Sequence, residues 1–505
     1  MFNFALNNNK NKIFFIFLFS LLIEMISFIS FNFEIINYIF FFLILLSFLF
    51  ISFYDFKLSI YLFLAEVFLN SMGYLFYFEN SGFKISLRIS LWLLLMAIFL
   101  TKLLIDFFKD RKKVLGIFKN LVFGRNLLYL SFFLLFSFAF GLVRNGFSDS
   151  FFDFNSWFYF IAILPIFYTI YQLNKEEKEI FWKNLILIFF SISLYTLFKS
   201  LLFLFLFSHD LRPIISDLYS WTRVYALGEI TNMGNGFYRV FFQNQIFLFL
   251  GFCFSFVLFL FEKGKGKKVS LFLISSLFLS VIVLSFSRSF WVGLVLVFLS
   301  LLLIVWYKFD FKTSLKTIFY GFLSLVFSVL LIFITVKFPW PKPGGTFNIE
   351  SLSDRANVTS NESAISSRWA LLDSMKNDIQ SNFLLGRGFG ARIEYISSDP
   401  RVLQSSPDGK YSTYAFEWGW LDILLKMGIV GFSVYLWLIF LFSKKTLLSY
   451  FNKNNYFYLS IFLSILGLSA VNFFTPYLNH PLGISFLILL ILFFDYLNKL
   501  QQDTK

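Results

Sequence analysis

Arg239, Arg288, Arg368, Arg387 and Glu417 are the side chains whose types and surroundings suggest a reacting centre. Arg288 stands in Leu284-Ser-Phe-Ser-Arg-Ser-Phe-Trp-Val-Gly293, with apolar helix on both sides and no carboxylate in reach along the sequence. Arg239 repeats the situation in Gly236-Phe-Tyr-Arg-Val-Phe-Phe, at the start of an apolar segment. Arg368 lies in Ser-Arg-Trp and Arg387 in Leu384-Leu-Gly-Arg-Gly-Phe-Gly390. A guanidinium beside lipid is costly and is kept mainly where it pairs with something. Its planar fork matches two phosphate oxygens better than a lysine does. Several such groups on one membrane face therefore imply an anionic ligand, best a diphosphate, at the outer membrane-water boundary. The competing reading is that the arginines snorkel to lipid headgroups or pair with a carboxylate elsewhere.

Glu417 sits where the chain re-enters apolar sequence, in Glu417-Trp-Gly-Trp-Leu-Asp422-Ile-Leu-Leu-Lys426-Met-Gly428. A carboxylate there can take a proton from a hydroxyl nucleophile. A salt bridge to one of the nearby arginines accounts for it equally well. Upstream, the segment from Ser363 predicts a helix with Ser366 or Ser367 as N-cap, and Trp369, Leu371, Leu372, Met375 and Ile379 on one apolar face. The glycines around Arg387 permit close backbone approach.

These residues must be positioned by a membrane protein. The apolar fraction is 58 % and the mean hydropathy +0.75, far above the soluble range of about 45–50 % apolar. The fold class expected is all-α, polytopic. The 82 phenylalanines are spread without a period, so no single Phe is read as a binding aromatic. One cysteine, Cys253, excludes an intrachain disulfide, and two histidines, His209 and His480, exclude a histidine-rich metal centre. The net charge of +14 falls mostly in alternate short loops. That is the positive-inside pattern and a means of contact with membrane lipids, and nucleic acid is not the partner it indicates.

Apolar runs near 13–31, 35–53, 59–78 and 86–106 bring the chain back to a loop with Lys109, Arg111, Lys112, Lys113, Lys119 and Arg125. Further runs near 126–143, 157–173, 184–208, 240–261, 270–286, 290–307, 318–336, 419–443, 457–474 and 483–498 complete about fourteen predicted spans, with both termini cytoplasmic. Ser287-Arg288-Ser289 reads as a tight outer turn. Glu24, Glu66 and Lys199 fall within spans, as relays or as intramembrane pairs. The organisation expected is helices over 1–336, one large outer loop over 337–418 and helices over 419–505. That loop opens with Pro339, Pro341, Pro343 and two glycines, which cannot continue a helix.

Three features together resemble the O-antigen polymerase and O-antigen ligase family of bacterial surface-polysaccharide assembly. They are Ser-Arg-Ser before a span beginning Phe-Trp-Val-Gly, then Ser-Ser-Arg-Trp with Met375 and Phe383-Leu-Leu-Gly-Arg-Gly-Phe-Gly, and a re-entering segment ending Met-Gly-Ile-Val-Gly-Phe. The motifs lie in the second half of the chain; the first half matches by topology alone. Ligases of this family typically carry a periplasmic histidine near the end of the loop. This chain has Glu417, eleven residues before Gly428, which favours a polymerase.

The resemblance implies an inner-membrane glycosyltransferase acting on undecaprenyl-diphosphate-linked glycans as donor and acceptor, without metal or cofactor. A chain-length regulator is a further candidate partner. Arg288, Arg239, Arg368 and Arg387 would hold the donor diphosphate, with Arg288 and Glu417 as the catalytic pair. The nearest rival is the ligase, with lipid A core as acceptor. A lipid-linked oligosaccharide flippase is the rival from another class, though it would want internal pseudo-symmetry and short loops.

Overall fold

The computed structural model describes residues 9–80, 83–342, 344–346, 363–398 and 400–502. Pro343, residues 347–362 of the polar stretch and the terminal Lys505 lie outside them. Among the described residues, twelve helices are long and apolar enough to cross a membrane, from Lys10–Asn32 to Pro481–Leu500. Helices dominate because a span must satisfy its own backbone hydrogen bonds where no water is available. The all-α expectation holds, with three short antiparallel hairpins added.

Two of the expected spans are shorter than a crossing requires. The run near 59–78 forms only the 14-residue helix Phe56–Leu69, about 21 Å long against a hydrocarbon core of about 30 Å. Asn70, Ser71 and Gly73, the last with φ +91°, end it. The chain then turns into the hairpin Tyr77–Asn80 with Phe83–Ser86. The run near 457–474 forms the 16-residue helix Tyr456–Val471, which stops at Asn472. Apolar composition predicted both elements, but local polar residues and glycine set their lengths.

The chain forms two compact units that interleave along the sequence. The first comprises 1–117, 162–291 and 297–352; the second comprises 118–161, 292–296 and 353–505. Within the first, the helices Lys10–Asn32 and Lys175–Ser208 are joined by Lys199 Nζ on Glu24 Oε1 at 2.7 Å, both side chains 4 % exposed. Arg88 Nε meets Glu66 Oε2 at 2.8 Å, and its two terminal nitrogens donate to the carbonyls of Ser71 and Asn70 at 2.8 Å each. The intramembrane carboxylates and lysine thus have partners. Arg88 closes the end of the short Phe56–Leu69 helix, binding carbonyls that the helix leaves without an intrahelical donor.

Within the second unit, the helix Gly419–Lys453 is broken at Gly428, with φ 63° and ψ −178°. Only glycine adopts that pair of angles at little cost. Its first turns pack beneath the helix Ser363–Ser381 and the hairpin Ile393–Ile396 with Lys410–Thr413. Leu371, Met375, Ile393, Phe416 and Leu425 form the core there.

Candidate functional site

In the first unit, candidate residues gather at the turn between helices Lys265–Leu284 and Arg288–Lys308. The turn is tight and buried: Ser285 and Phe286 are wholly buried and Phe286 has φ 47°. Ser287 and Ser289 share a hydroxyl hydrogen bond of 2.8 Å. Arg288 is the first residue of its helix, half-buried, and the first turn carries no acidic residue. The leading backbone N–H groups of a helix carry partial positive charge, and Arg288 adds a full one.

Arg239 does not open a span, as the sequence suggests. It lies in the hairpin strand Tyr238–Phe242, paired with Gly228–Asn232, and the helix follows only from Ile246. Gly234 and Gly236, both with positive φ, bend the chain before that strand. Arg239 Nε donates to the Ser285 carbonyl at 2.7 Å, so both arginines flank one turn. Its other arm meets Glu229 at 3.4 Å, and Arg223 meets the same carboxylate at 3.3 Å. Arg239 and Arg223 thus converge on one carboxylate, Glu229.

In the second unit, the glycine-rich turn docks on the helix break. Arg387 N–H donates to the Leu425 carbonyl at 2.8 Å, and Gly388 N–H to that of Lys426 at 3.1 Å. In return, Ile429 N–H donates to the Phe383 carbonyl at 2.8 Å. The backbone groups that Gly428 releases from the helix are thereby satisfied. Glycine is required by contact as well as by φ: a Cβ at Gly388 would lie 2.5 Å from Gly141 N, and one at Gly386 the same distance from Gly428 N.

Below the turn, Lys426 is 3 % exposed and bridges two carboxylates, Asp153 at 2.6 Å and Asp422 on its own helix. Asp153 also accepts from Gly390 N–H at 2.7 Å, and Asp422 from the Asn479 amide. Asp422 is 5 % exposed. This charge network ties the turn, the broken helix and the 147–154 helix together.

Above it, Arg368 and Glu417 form a half-exposed ion pair, and Trp418 Nε1 donates to the Arg368 carbonyl at 3.3 Å. Ser366 and Ser367 are not caps, because the helix already starts at Ser363. The Ser367 hydroxyl instead accepts from Ser398 N–H at 2.9 Å. The predicted apolar face is real at Leu371 and Met375, while Trp369 is 53 % exposed. Arg387 pairs with Asp378, and its Nη1 donates to the Arg392 carbonyl at 3.3 Å. Arg392 grips Asp149 with two nitrogens, at 2.5 and 2.9 Å. Hydrogen bonding to that carboxylate raises Arg392 above its ordinary pKa.

Residues 273–436 match the family model described as O-antigen ligase. No curated protein matches the chain. The match covers about a third of the sequence, from the helix before Arg288 to beyond the break at Gly428. Arg288, Arg368, Arg387, Glu417 and Lys426 lie within it; Arg239 and Asp153 lie outside. Together with the twelve long apolar helices, it makes the chain a multi-pass membrane enzyme of surface-polysaccharide assembly.

The structure brings Arg239 to the turn that Arg288 follows, and Arg368 to Glu417. Arg387 joins neither pair. Among the described residues no cluster of three His, Cys, Asp or Glu side chains gathers as metal ligands would. Sequence reasoning passed over Asp149, Asp153, Asp378 and the bridging role of Lys426. The spacing of Asp422 and Lys426, four apart on one helix, carries a readable signal. Asp153, 273 residues from Lys426, carries none.

Proposed function

We propose that the chain is an integral-membrane glycosyltransferase that polymerises undecaprenyl-diphosphate-linked repeat units into O-antigen or a related surface polysaccharide. Transfer takes place at the periplasmic face of the bacterial inner membrane. The observation that carries this reading is the O-antigen ligase domain spanning Arg288 through Glu417 and the helix break. In the reaction, the bond from the donor's anomeric carbon to the diphosphate oxygen breaks, and a bond forms from that carbon to the acceptor hydroxyl oxygen. The hydroxyl proton passes to Glu417, and the diphosphate leaves on its lipid.

Negative charge grows on the leaving diphosphate as the bond breaks. Groups already fixed to meet that charge lower the barrier. Arg288 at a helix start and Arg239 anchored on the Ser285 carbonyl are suited to this. Arg368 and Arg387 each hold a carboxylate, as Arg239 does through Glu229, so each of the three would have to share or exchange that partner in taking phosphate. The pairing with Arg368 holds the Glu417 carboxylate in one orientation, ready for the acceptor.

Glu417→Gln tests the base. It should abolish polymerisation in vitro at every pH while changing stability by less than about 1 kcal/mol, since a half-exposed ion pair contributes little. Retained polymerisation would remove the role. A second reading, transfer of finished polymer to lipid A core, is favoured by the matched family's own description. Deleting the gene separates them. Loss of a polymerase leaves single repeats on the surface lipid, whereas loss of a ligase leaves long polymer on the carrier lipid.

A further inference from the structure

A cleft of about 500 Å³ opens in the second unit between the helix Ser363–Ser381 and the hairpin of 393–396 with 410–413. That volume falls in the range of about 300–1,000 Å³ typical of small-molecule sites. Its lining includes Arg387 and Arg392, which the sequence alone would offer to a diphosphate. Their surroundings speak against that ligand. Arg387 is engaged by Asp378, and Arg392 is held by Asp149 through both arms. Glu394 adds a further carboxylate to the wall. Each guanidinium group is therefore already matched by a carboxylate, and a diphosphate entering here would also meet the carboxylate of Glu394.

What the cleft leaves unused is neutral hydrogen-bonding capacity. Ser374, Asn377, Glu394 and Ser412 line it, and among the described residues none of these side chains has a hydrogen-bond or ion partner. Two hydroxyls can donate and accept, the amide offers two donors and an acceptor, and the carboxylate accepts from two neighbouring hydroxyls. Such a set complements a ring bearing several hydroxyl groups. The fixed ion pairs Arg387–Asp378 and Arg392–Asp149 hold the walls, with Arg392 over the Tyr414 ring at 5.4 Å.

We infer that this cleft binds the neutral, hydroxyl-bearing sugar part of the glycan substrate, and that Asn377 and Glu394 are its principal contacts. The inference rests on the proposed glycan-handling function and moves Arg387 from the diphosphate to the wall of a sugar site. It calls for no chemistry in the cleft. The residues there orient the glycan and bear on its affinity rather than on bond breaking.

The test is binding by the detergent-purified full-length protein to an array of neutral and acidic oligosaccharides, with inorganic pyrophosphate as competitor. At least one neutral glycan should be retained, and Asn377→Ala and Glu394→Gln should each weaken its retention about tenfold, the loss of one or two hydrogen bonds. Pyrophosphate should leave retention unchanged. Both side chains are exposed, so neither change disturbs packing, and Ser412→Ala gives a third reading if one variant is poorly folded. Retention of acidic glycans alone, displacement by pyrophosphate, retention of no glycan, or variants that bind as wild type would each overturn the inference. Binding on the array needs no transfer. A gene deletion that leaves surface polysaccharide intact would sink the proposed function while the array result stood on its own.

Discussion

The turn before Arg288 and the cleft around Arg387 are both arginine-bearing, yet their ion pairs are arranged differently. At the turn, Arg239 and Arg223 share a single carboxylate, Glu229, and Arg288 begins a helix whose first turn has no acid. In the cleft, Arg387 and Arg392 each hold a carboxylate of their own, and Glu394 adds another. Arginine content alone made the two regions look equivalent. The electrostatic difference lies in what the guanidinium groups already touch, since an arginine matched by a carboxylate must give up that partner before it can take a phosphate.

The sharpest way to break the comparison is Arg288→Lys against Arg387→Lys. Arg288→Lys should cut polymer formation by about 10²–10³-fold, the size of losing one fixed donor to a developing anion. Arg387→Lys should keep most of it, because lysine still pairs with Asp378. Equal losses on a surface-polysaccharide ladder, at equal protein levels, would erase the distinction.

Lys426→Met comes next. It strands the buried carboxylates of Asp153 and Asp422, and removing one partner of a buried ion pair costs about 3–5 kcal/mol. Thermal unfolding in detergent should show this as a large drop, whereas a melt like wild type would mean the network holds nothing together. Gly388→Ala should cost less, about 1–3 kcal/mol for a non-glycine residue at φ +79°, with the Gly141 contact added. A normal melt for that variant would show that the turn relaxes away from the helix break. Smallest is Arg392→Ala, whose half-exposed pair with Asp149 should contribute under about 1 kcal/mol. A loss as great as that of Lys426→Met would mean that the cleft wall, rather than the buried network, holds the turn.

The fold class and most helix positions were legible because long apolar runs must be helical in lipid. The exceptions are instructive. Phe56–Leu69 is cut short by Asn70, Ser71 and Gly73, and Arg239 falls in a strand rather than at a helix start. Hydropathy averages over about 19 residues and cannot see a hairpin five residues wide. The charged side chains of Arg288, Arg368, Arg387 and Glu417 could be picked out as conspicuous against an apolar background. Partners could not: Asp378 of Arg387, Glu229 of Arg239 and Asp149 of Arg392 look like ordinary loop or helix acids in the sequence.

Composition and charge alternation alone determined that this chain inserts many helices, and the motifs from Arg288 to Gly428 marked where its chemistry is sought. Tertiary structure decided which cations are already matched, which carboxylates are buried against Lys426, and why Gly388 and Gly428 must be glycine. The physical reason is range. Insertion into lipid depends on residues adjacent in sequence, whereas pairing and close backbone contact depend on residues such as Asp153 and Lys426 that only folding makes neighbours.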